Sequence, residues 1–335
     1  MSTPGRLRFA DAHNDLLLGV MHQRERGQTD PFGDFWLPQL RTGGVVLQVL
    51  PIYTEEQFIG EGALRRTIRI IETAYEAAEL NRDDVAIVTT SGQLRETIDS
   101  GRIALILAFE GMEPVGSDVD VIDAFFRLGV RLASLTWNRR TMLADGVGER
   151  DTGGGLTSVG LEAVARMEQV GMILDVSHLA DAGFADVSRV ATRPFIASHS
   201  SCRDVYEHPR NLTDDQLRTI ADSGGFVGMN AVLYFCGDDG TVDEYLDHTA
   251  HAVDVIGADH VGFGFDYVTD IFEQVDPILR GLLVPDGGFR HIPGLERPSE
   301  LSAFGPRLID RLGRDTAERV ASGAMIDAFE RLLPA

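Results

Sequence analysis

Ile103-Ala-Leu-Ile-Leu-Ala-Phe109-Glu110-Gly111 is the stretch on which the fold turns. An unbroken apolar run meets a carboxylate and then a glycine. The run is far shorter than the roughly 18 to 20 residues of a membrane helix. It lacks the alternation of a half-buried strand, so it reads as a strand covered on both faces, as in a parallel sheet. Glu110 stands where that strand leaves the core, and burying a lone carboxylate is costly unless a cation accompanies it.

Working outward, runs of the same kind occupy residues 7–13, 45–50, 130–135, 172–177, 194–198, 226–230 and 260–265, making eight with 103–109. Helix-like stretches separate most of them: 55–80, 156–170, 179–190, 213–223 and 242–256. In the first of these, Leu64, Ile68, Ile71, Tyr75 and Ala78 are expected to share one apolar side. Thr213-Asp-Asp-Gln216 has the form of a capping box. Gly101, Gly129, Gly171 and Gly224-Gly225 stand just before strands, where a left-handed helix end is expected. Residues 316–333 read as a terminal amphipathic helix. Eight strand-then-helix units predict an α/β fold closed as a (β/α)8 barrel of the TIM type, with a doubly wound open sheet as the structural alternative. We expect residues 1–335 to form a single catalytic barrel domain. Within it, 266–298 lacks clear periodicity and is expected over the barrel mouth as part of a lid.

Composition excludes several occupations. The 335 residues are 44% hydrophobic and carry a formal charge of −22, spread along the chain. Such an acidic surface is a poor partner for nucleic acid or anionic lipid. The opening residues carry no apolar signal core and the end no anchor tail, so a cytoplasmic protein is expected. Cys202 and Cys236 have no paired spacing, which argues against a disulfide framework or cysteine zinc knuckle. All 30 basic residues are arginine. Without lysine there is no Schiff-base chemistry and no metal pair bridged by a carboxylated lysine.

Barrel chemistry gathers at the C-terminal ends of the strands. Those ends read Asp11-Ala-His13-Asn-Asp15, Phe109-Glu110-Gly111, Asp175-Val-Ser-His178, Ser198-His199-Ser200 and Gly264-Phe-Asp266. His13 and Asp15 are two apart, so on an extended chain they point to one side and can grip one ion. Glu110 can bridge two ions, and His178 and His199 complete the second. Imidazole with carboxylate is the usual zinc mixture, with manganese or cobalt as alternatives. Two such cations deprotonate a shared water near neutral pH and polarise a carbonyl. Asp266 is placed to take the attacking water's proton and pass it to a leaving nitrogen. Each residue also has a plainer reading: a histidine hydrogen-bonded to an acid, a satisfied core histidine, or a helix cap. The other histidines, at 22, 208, 248, 251, 260 and 291, show no convergence and read as surface or structural.

With these residues in place, the chain resembles the membrane (renal-type) dipeptidase family of zinc metallopeptidases, among the amidohydrolase-like barrels. The resemblance runs from Asp11 to at least Asp266 through the motifs above, with His208-Pro-Arg210-Asn211-Leu-Thr-Asp-Asp close behind. It implies two divalent ions, most simply Zn2+, and hydrolysis of small dipeptides, often with a D-residue at the C-terminal position. It also implies that Arg210 holds the substrate carboxylate, and it hints at a homodimer. Two departures stand out. Trp137 occupies a position after the fourth strand where the family often has histidine, so transition-state stabilisation falls to the metals or Asn138. Val268 stands where many relatives carry a further aspartate. Arg139 and Arg140 fit either an acidic substrate side chain or simple surface solvation. The rival functions are an amidase or lactonase using the same site, and a non-catalytic barrel scaffold.

Overall fold

The computed structural model describes residues 6–274 and 290–335. Strands β1 (Phe9–Asp11), β2 (Val45–Tyr53), β3 (Val85–Ile87), β4 (Ile103–Glu110), β5 (Val130–Ser134), β6 (Ile173–Asp175), β7 (Val227–Met229) and β8 (Val261–Phe263) form one sheet. Its order is β6-β5-β4-β2-β1-β8-β7, and every pairing is parallel. The expected strand at 194–198 is reduced to single bridges, Ile196 to Asp175 and Ala197 to Val227. Pro194 offers no N–H. The residues after it bond alternately to each neighbour, Ile196 N to Leu174 O at 2.9 Å and Ala197 N to Phe226 O at 2.9 Å. This segment closes the ring between β6 and β7, so the barrel reading holds. The strand β3 was not foreseen; it is three residues long and pairs with the first half of β4.

Side-chain alternation sorts the core into two layers. On β4, Leu105, Leu107 and Phe109 face the surrounding helices, whereas Ala104, Ile106 and Ala108 fill the barrel interior. Glu110 continues the interior series at the strand's C-terminal end. Burying a side chain such as Ile106 stabilises the fold by about 1.5–3 kcal/mol. The closing helix Ala324–Leu332 adds Met325, Ala328 and Phe329 to the same interior cluster.

The helices follow the expected pattern with one reversal. Helix α1 is Leu16–Glu25, and the helix Glu61–Leu80 packs against it. Of the side expected to face inward, Leu64 and Ile68 are 44% and 46% exposed, and Tyr75 is also exposed. The inward face is instead Ala63, Arg66, Thr67, Ile70, Ala74 and Ala77 with Ile71 and Ala78. Its small side chains permit close packing, and the buried Arg66 is neutralised by Glu55 and Glu25. Thr213 and Gln216 make the full capping box, and Gly101, Gly129, Gly171 and Gly224 adopt left-handed φ. The terminal helix is interrupted by a π-helical turn at Arg319–Gly323. Of the expected lid, residues 275–289 lie outside the described residues, and Thr269–Gln274 is helical. Among the described residues, no helix is long and apolar enough to cross a membrane. Cys202 and Cys236 are buried free thiols.

Candidate metal centre

Two buried carboxylates shape the strand ends that carry the site. Asp11 accepts from His13 N at 3.2 Å, Phe265 N at 2.9 Å and Gln48 Nε2 at 2.9 Å, turning the chain after β1. Asp175 does the same after β6, accepting from Ser177 N at 2.9 Å and Ser198 N at 3.0 Å. Asp15 occupies the N-cap position of α1 but makes no cap hydrogen bond, because its carboxylate turns into the site. His178 and Asp266 are the non-glycine residues with positive φ among those described, at 71° and 62°. Left-handed backbone at two such residues is a strain that surrounding contacts must hold.

All five expected ligands and Asp266 converge. His13 Nε2 lies 3.6 Å from Asp15 Oδ2, 3.6 Å from Glu110 Oε1 and 3.8 Å from Asp266 Oδ1. Glu110 Oε1 lies 3.0 Å from His178 Nε2 and 3.8 Å from His199 Nε2. The two imidazole nitrogens of His178 and His199 are 2.8 Å apart. Ligand atoms of His13, Glu110 and His199 fall within 4.8 Å of one another, as do those of His13, Asp15 and Asp266. Asp266 is thus as close to His13 as a ligand would be. Its Oδ2 accepts from Asn230 Nδ2 at 2.9 Å, its N donates to His13 O at 3.0 Å, and the ring of His291 bonds its carbonyl at 2.5 Å.

The partners of the outer nitrogens show which ring atoms face inward. His178 Nδ1 bonds Asn138 Oδ1 at 2.8 Å. His199 Nδ1 bonds Ser198 Oγ at 2.7 Å, and that hydroxyl donates its proton to Asp175. A hydroxyl spending its proton on a carboxylate accepts from Nδ1–H, which leaves the His199 Nε2 lone pair facing inward. His178 receives the same treatment from Asn138. Such outer partners fix the tautomer of metal-ligating histidines. His13 Nε2 is buried with no hydrogen-bond partner. An orphaned imidazole nitrogen facing three carboxylates fits a divalent cation.

Electrostatics agree. Burial, reinforced by Glu110, pushes the Asp15 carboxyl up to about 7. Burial also raises Glu110, but the charges and hydrogen bonds of His13 and His178 outweigh it and hold Glu110 below the usual range. Burial opposes a charge on His13, yet Glu110 and Asp15 keep it well above its ordinary value. His178 is pushed down to about 4 by burial and Arg210. His199 is pushed well down by burial, His13 and Arg210. The centre therefore sets two imidazoles held toward neutrality, His178 and His199, beside carboxylates that crowd one another, the donor set of a hard-to-borderline divalent ion.

A cavity of about 540 Å³ opens onto this centre, bordered by Asp15, Glu110, His178 and Asp266 at its floor. This suits a small ligand. Arg210 lies within it, buried, with Nη2 3.1 Å from His178 Nε2 and 3.2 Å from His199 O. Trp137 lines the wall beside Tyr53, their rings edge to face at 5.4 Å. Asn138 also lines the cavity, but its amide oxygen is engaged by His178. Neither Arg139 nor Arg140 is simply solvated. Arg139 bonds Glu113 at 2.8 Å and Tyr53 Oη at 3.0 Å, and it pairs with Glu56; Arg140 pairs with Asp145.

Two of the histidines read as surface or structural belong near the site. His208 lines the cavity, and His291 bonds the backbone of Asp266. Asn230, at the end of β7, was also missed. An acid or amide at a strand end was the available signal. Asp11 and Asp175 carry a second one, since each precedes a histidine of the cluster by two or three residues.

Barrel and ligand cluster together define the class: a metallohydrolase-type (β/α)8 protein with its centre at the strand ends. The pattern of the membrane dipeptidase family (peptidase family M19) matches residues 5–276, and the chain belongs to that family. It is 33% identical over 207 residues to dipeptidase verJ of Clonostachys rogersoniana, covering 61% of this chain and 53% of that one. The chain thus spans about half the length of that relative. An uncharacterized dipeptidase of Schizosaccharomyces pombe is 28% identical over 300 residues, covering 81% and 71%. Among solved structures, a metallopeptidase of Rhodobacter sphaeroides, liganded with a phosphinate mimic of the dipeptide L-Ala-D-Ala, superposes with a TM-score of 0.84. It shares 26% identity, with 98% and 99% of the two chains covered.

Proposed function

We propose that the protein is a metal-dependent dipeptidase. It hydrolyses the peptide bond of small dipeptides, including those with a D-residue at the C-terminal position. The observation that carries this reading is the convergence of His13, Asp15, Glu110, His178 and His199 beside a buried arginine in a dipeptide-sized cavity. We assign His13 and Asp15 to one ion, His178 and His199 to a second, and Glu110 to both, with zinc as the metal that best suits this donor set. Such ions, when bound, acidify water and polarise the scissile carbonyl.

The chain's own residues supply the rest. Arg210 holds the free carboxylate of the substrate, for which a planar guanidinium is shaped. Asp266, fixed by Asn230 and His291, accepts the proton of the attacking water at Oδ1 and delivers it to the departing amine. Trp137 and Tyr53 shield one wall from solvent. The phosphinate mimic of L-Ala-D-Ala bound to the Rhodobacter sphaeroides metallopeptidase, a tetrahedral analogue of a peptide, supports the choice of a reaction at a peptide carbonyl. Two buried free thiols suit a reducing, cytoplasmic compartment.

The test combines elemental analysis with rates on dipeptides, N-acyl amino acids and lactones, using one preparation. We expect close to two metal equivalents and turnover confined to the dipeptides. Faster lactone or N-acyl hydrolysis would move the assignment to an amidase or lactonase. Arg210→Gln should weaken free dipeptides more than their C-terminal amides, and equal losses would remove the carboxylate role.

A further inference from the structure

Among the described residues, the arginines that line the cavity are Arg210 and Arg150. Arg139 and Arg140 are held by carboxylates of the protein itself. Arg210 is buried against the histidines, with Nη2 3.1 Å from His178 Nε2. Arg150 lies farther out, with its side chain half exposed.

The turn that carries Arg150, Val147–Thr152, is fastened to the site. Val147 N donates to His178 O at 2.9 Å, and Gly148 N donates to Asn138 O at 2.7 Å. A Cβ on Gly146 would fall 2.0 Å from Trp137 O, and one on Gly148 2.5 Å from Asn138 O. Only glycine allows the turn to lie this close. Arg150 is therefore presented from fixed backbone, with Nη1 donating to Val147 O at 3.2 Å. Its acidic partner is weak: Asp151 Oδ1 lies 3.7 Å away on a side chain that is 91% exposed. An exposed pair of this kind exchanges easily for a better-placed carboxylate. His208, which also lines the cavity, is pushed down to about 4 by burial, Arg210 and Arg150, so it adds no charge near neutral pH.

We propose that Arg150 is a specificity-determining residue that recognises the side-chain carboxylate of a C-terminal aspartate or glutamate in the substrate. Arg210 takes the α-carboxylate and Arg150 takes the second one, farther along the cavity wall. This inference rests on the dipeptidase reading above.

Glutamate and glutamine share a shape and differ in charge, so the test compares L-Ala-D-Glu with L-Ala-D-Gln. For the metal-loaded protein we expect the first to have the higher kcat/KM. Arg150→Met should cut that ratio about fivefold, as a half-exposed ion pair allows, with most of the loss falling on L-Ala-D-Glu. Added salt should lower the ratio in the unmutated protein only. A ratio that Arg150→Met leaves intact overturns the inference while leaving the dipeptidase reading in place. Calorimetric binding of both dipeptides to metal-loaded Asp266→Asn protein separates the two readings further. Glu-selective binding that depends on Arg150, without turnover in the unmutated protein, sustains the inference and removes the peptidase. Equal binding of the two ligands sinks the inference.

Discussion

His199 and His248 are both wholly buried, and burial pushes both imidazoles toward neutrality. What separates them is the partner of each nitrogen. His248 accepts from Cys202 N at 3.0 Å through Nδ1 and bonds Cys236 O at 3.0 Å through Nε2. Both nitrogens are spent on backbone. His199 spends Nδ1 on a serine that is itself tied to Asp175, and turns Nε2 toward His178 and Glu110. These inner nitrogens crowd each other and Glu110, with Arg210 Nη2 3.1 Å from His178 Nε2. Neither burial nor depressed basicity marks a ligand histidine. A fixed outer nitrogen with an inner nitrogen facing other donors does.

The comparison breaks most visibly on removal of His199, a proposed metal ligand. His199→Ala should strip metal, read by elemental analysis, and lower kcat/KM on the order of 10³-fold. His248→Asn should leave metal content unchanged. Next comes the acid beside the ligands. Asp266→Asn should retain metal yet lose about 10²–10⁴-fold in kcat, the usual worth of a general acid–base. Full activity in that variant would exclude Asp266 from proton transfer.

A smaller effect sharpens the role of the outer nitrogen. Asn138→Ala frees His178 Nδ1 and should weaken metal affinity about 10–100-fold in chelator competition. If only KM for dipeptides moves, Asn138 contacts substrate and does not position His178.

The last effect, read in stability and not in metal content or rate, belongs to His248. Its folded pKa of about 4 lies below the ordinary 6.5, so its contribution is present above 6.5 and is lost as pH falls toward 4. That contribution is on the order of 3 kcal/mol at most. Denaturant melts of metal-free protein should show a shallower loss between pH 6.5 and 4 for His248→Asn. An unchanged slope would assign the acid sensitivity elsewhere.

Much of the site was legible because its residues stand at strand ends, where local pattern and position coincide. Glu110 continues the inward series of β4, and His13, His178 and His199 follow short apolar runs. The helix Glu61–Leu80 was misread for the opposite reason. Its larger apolar side chains formed the obvious stripe, but a face of alanines packs closer, with Arg66 buried on it beside Glu55. His208 opens the motif that carries Arg210, which is a local signal for the cavity, whereas nothing in the local sequence of His291 announces its neighbour Asp266. Arg139 is held by Glu56 and Glu113, acids remote from it in the chain, which neither of its two sequence readings contains.

The sequence by itself determined the parallel strand-and-helix architecture, the set of candidate metal ligands and the absence of lysine chemistry. These depend on periodicity and residue type, which are local. Only the tertiary structure decided which nitrogens face inward, which arginines remain at the cavity, and that Asp266 sits within ligand distance of His13. Those outcomes depend on distances between residues remote in the chain, fixed by closure of the ring at Ile196 and Ala197.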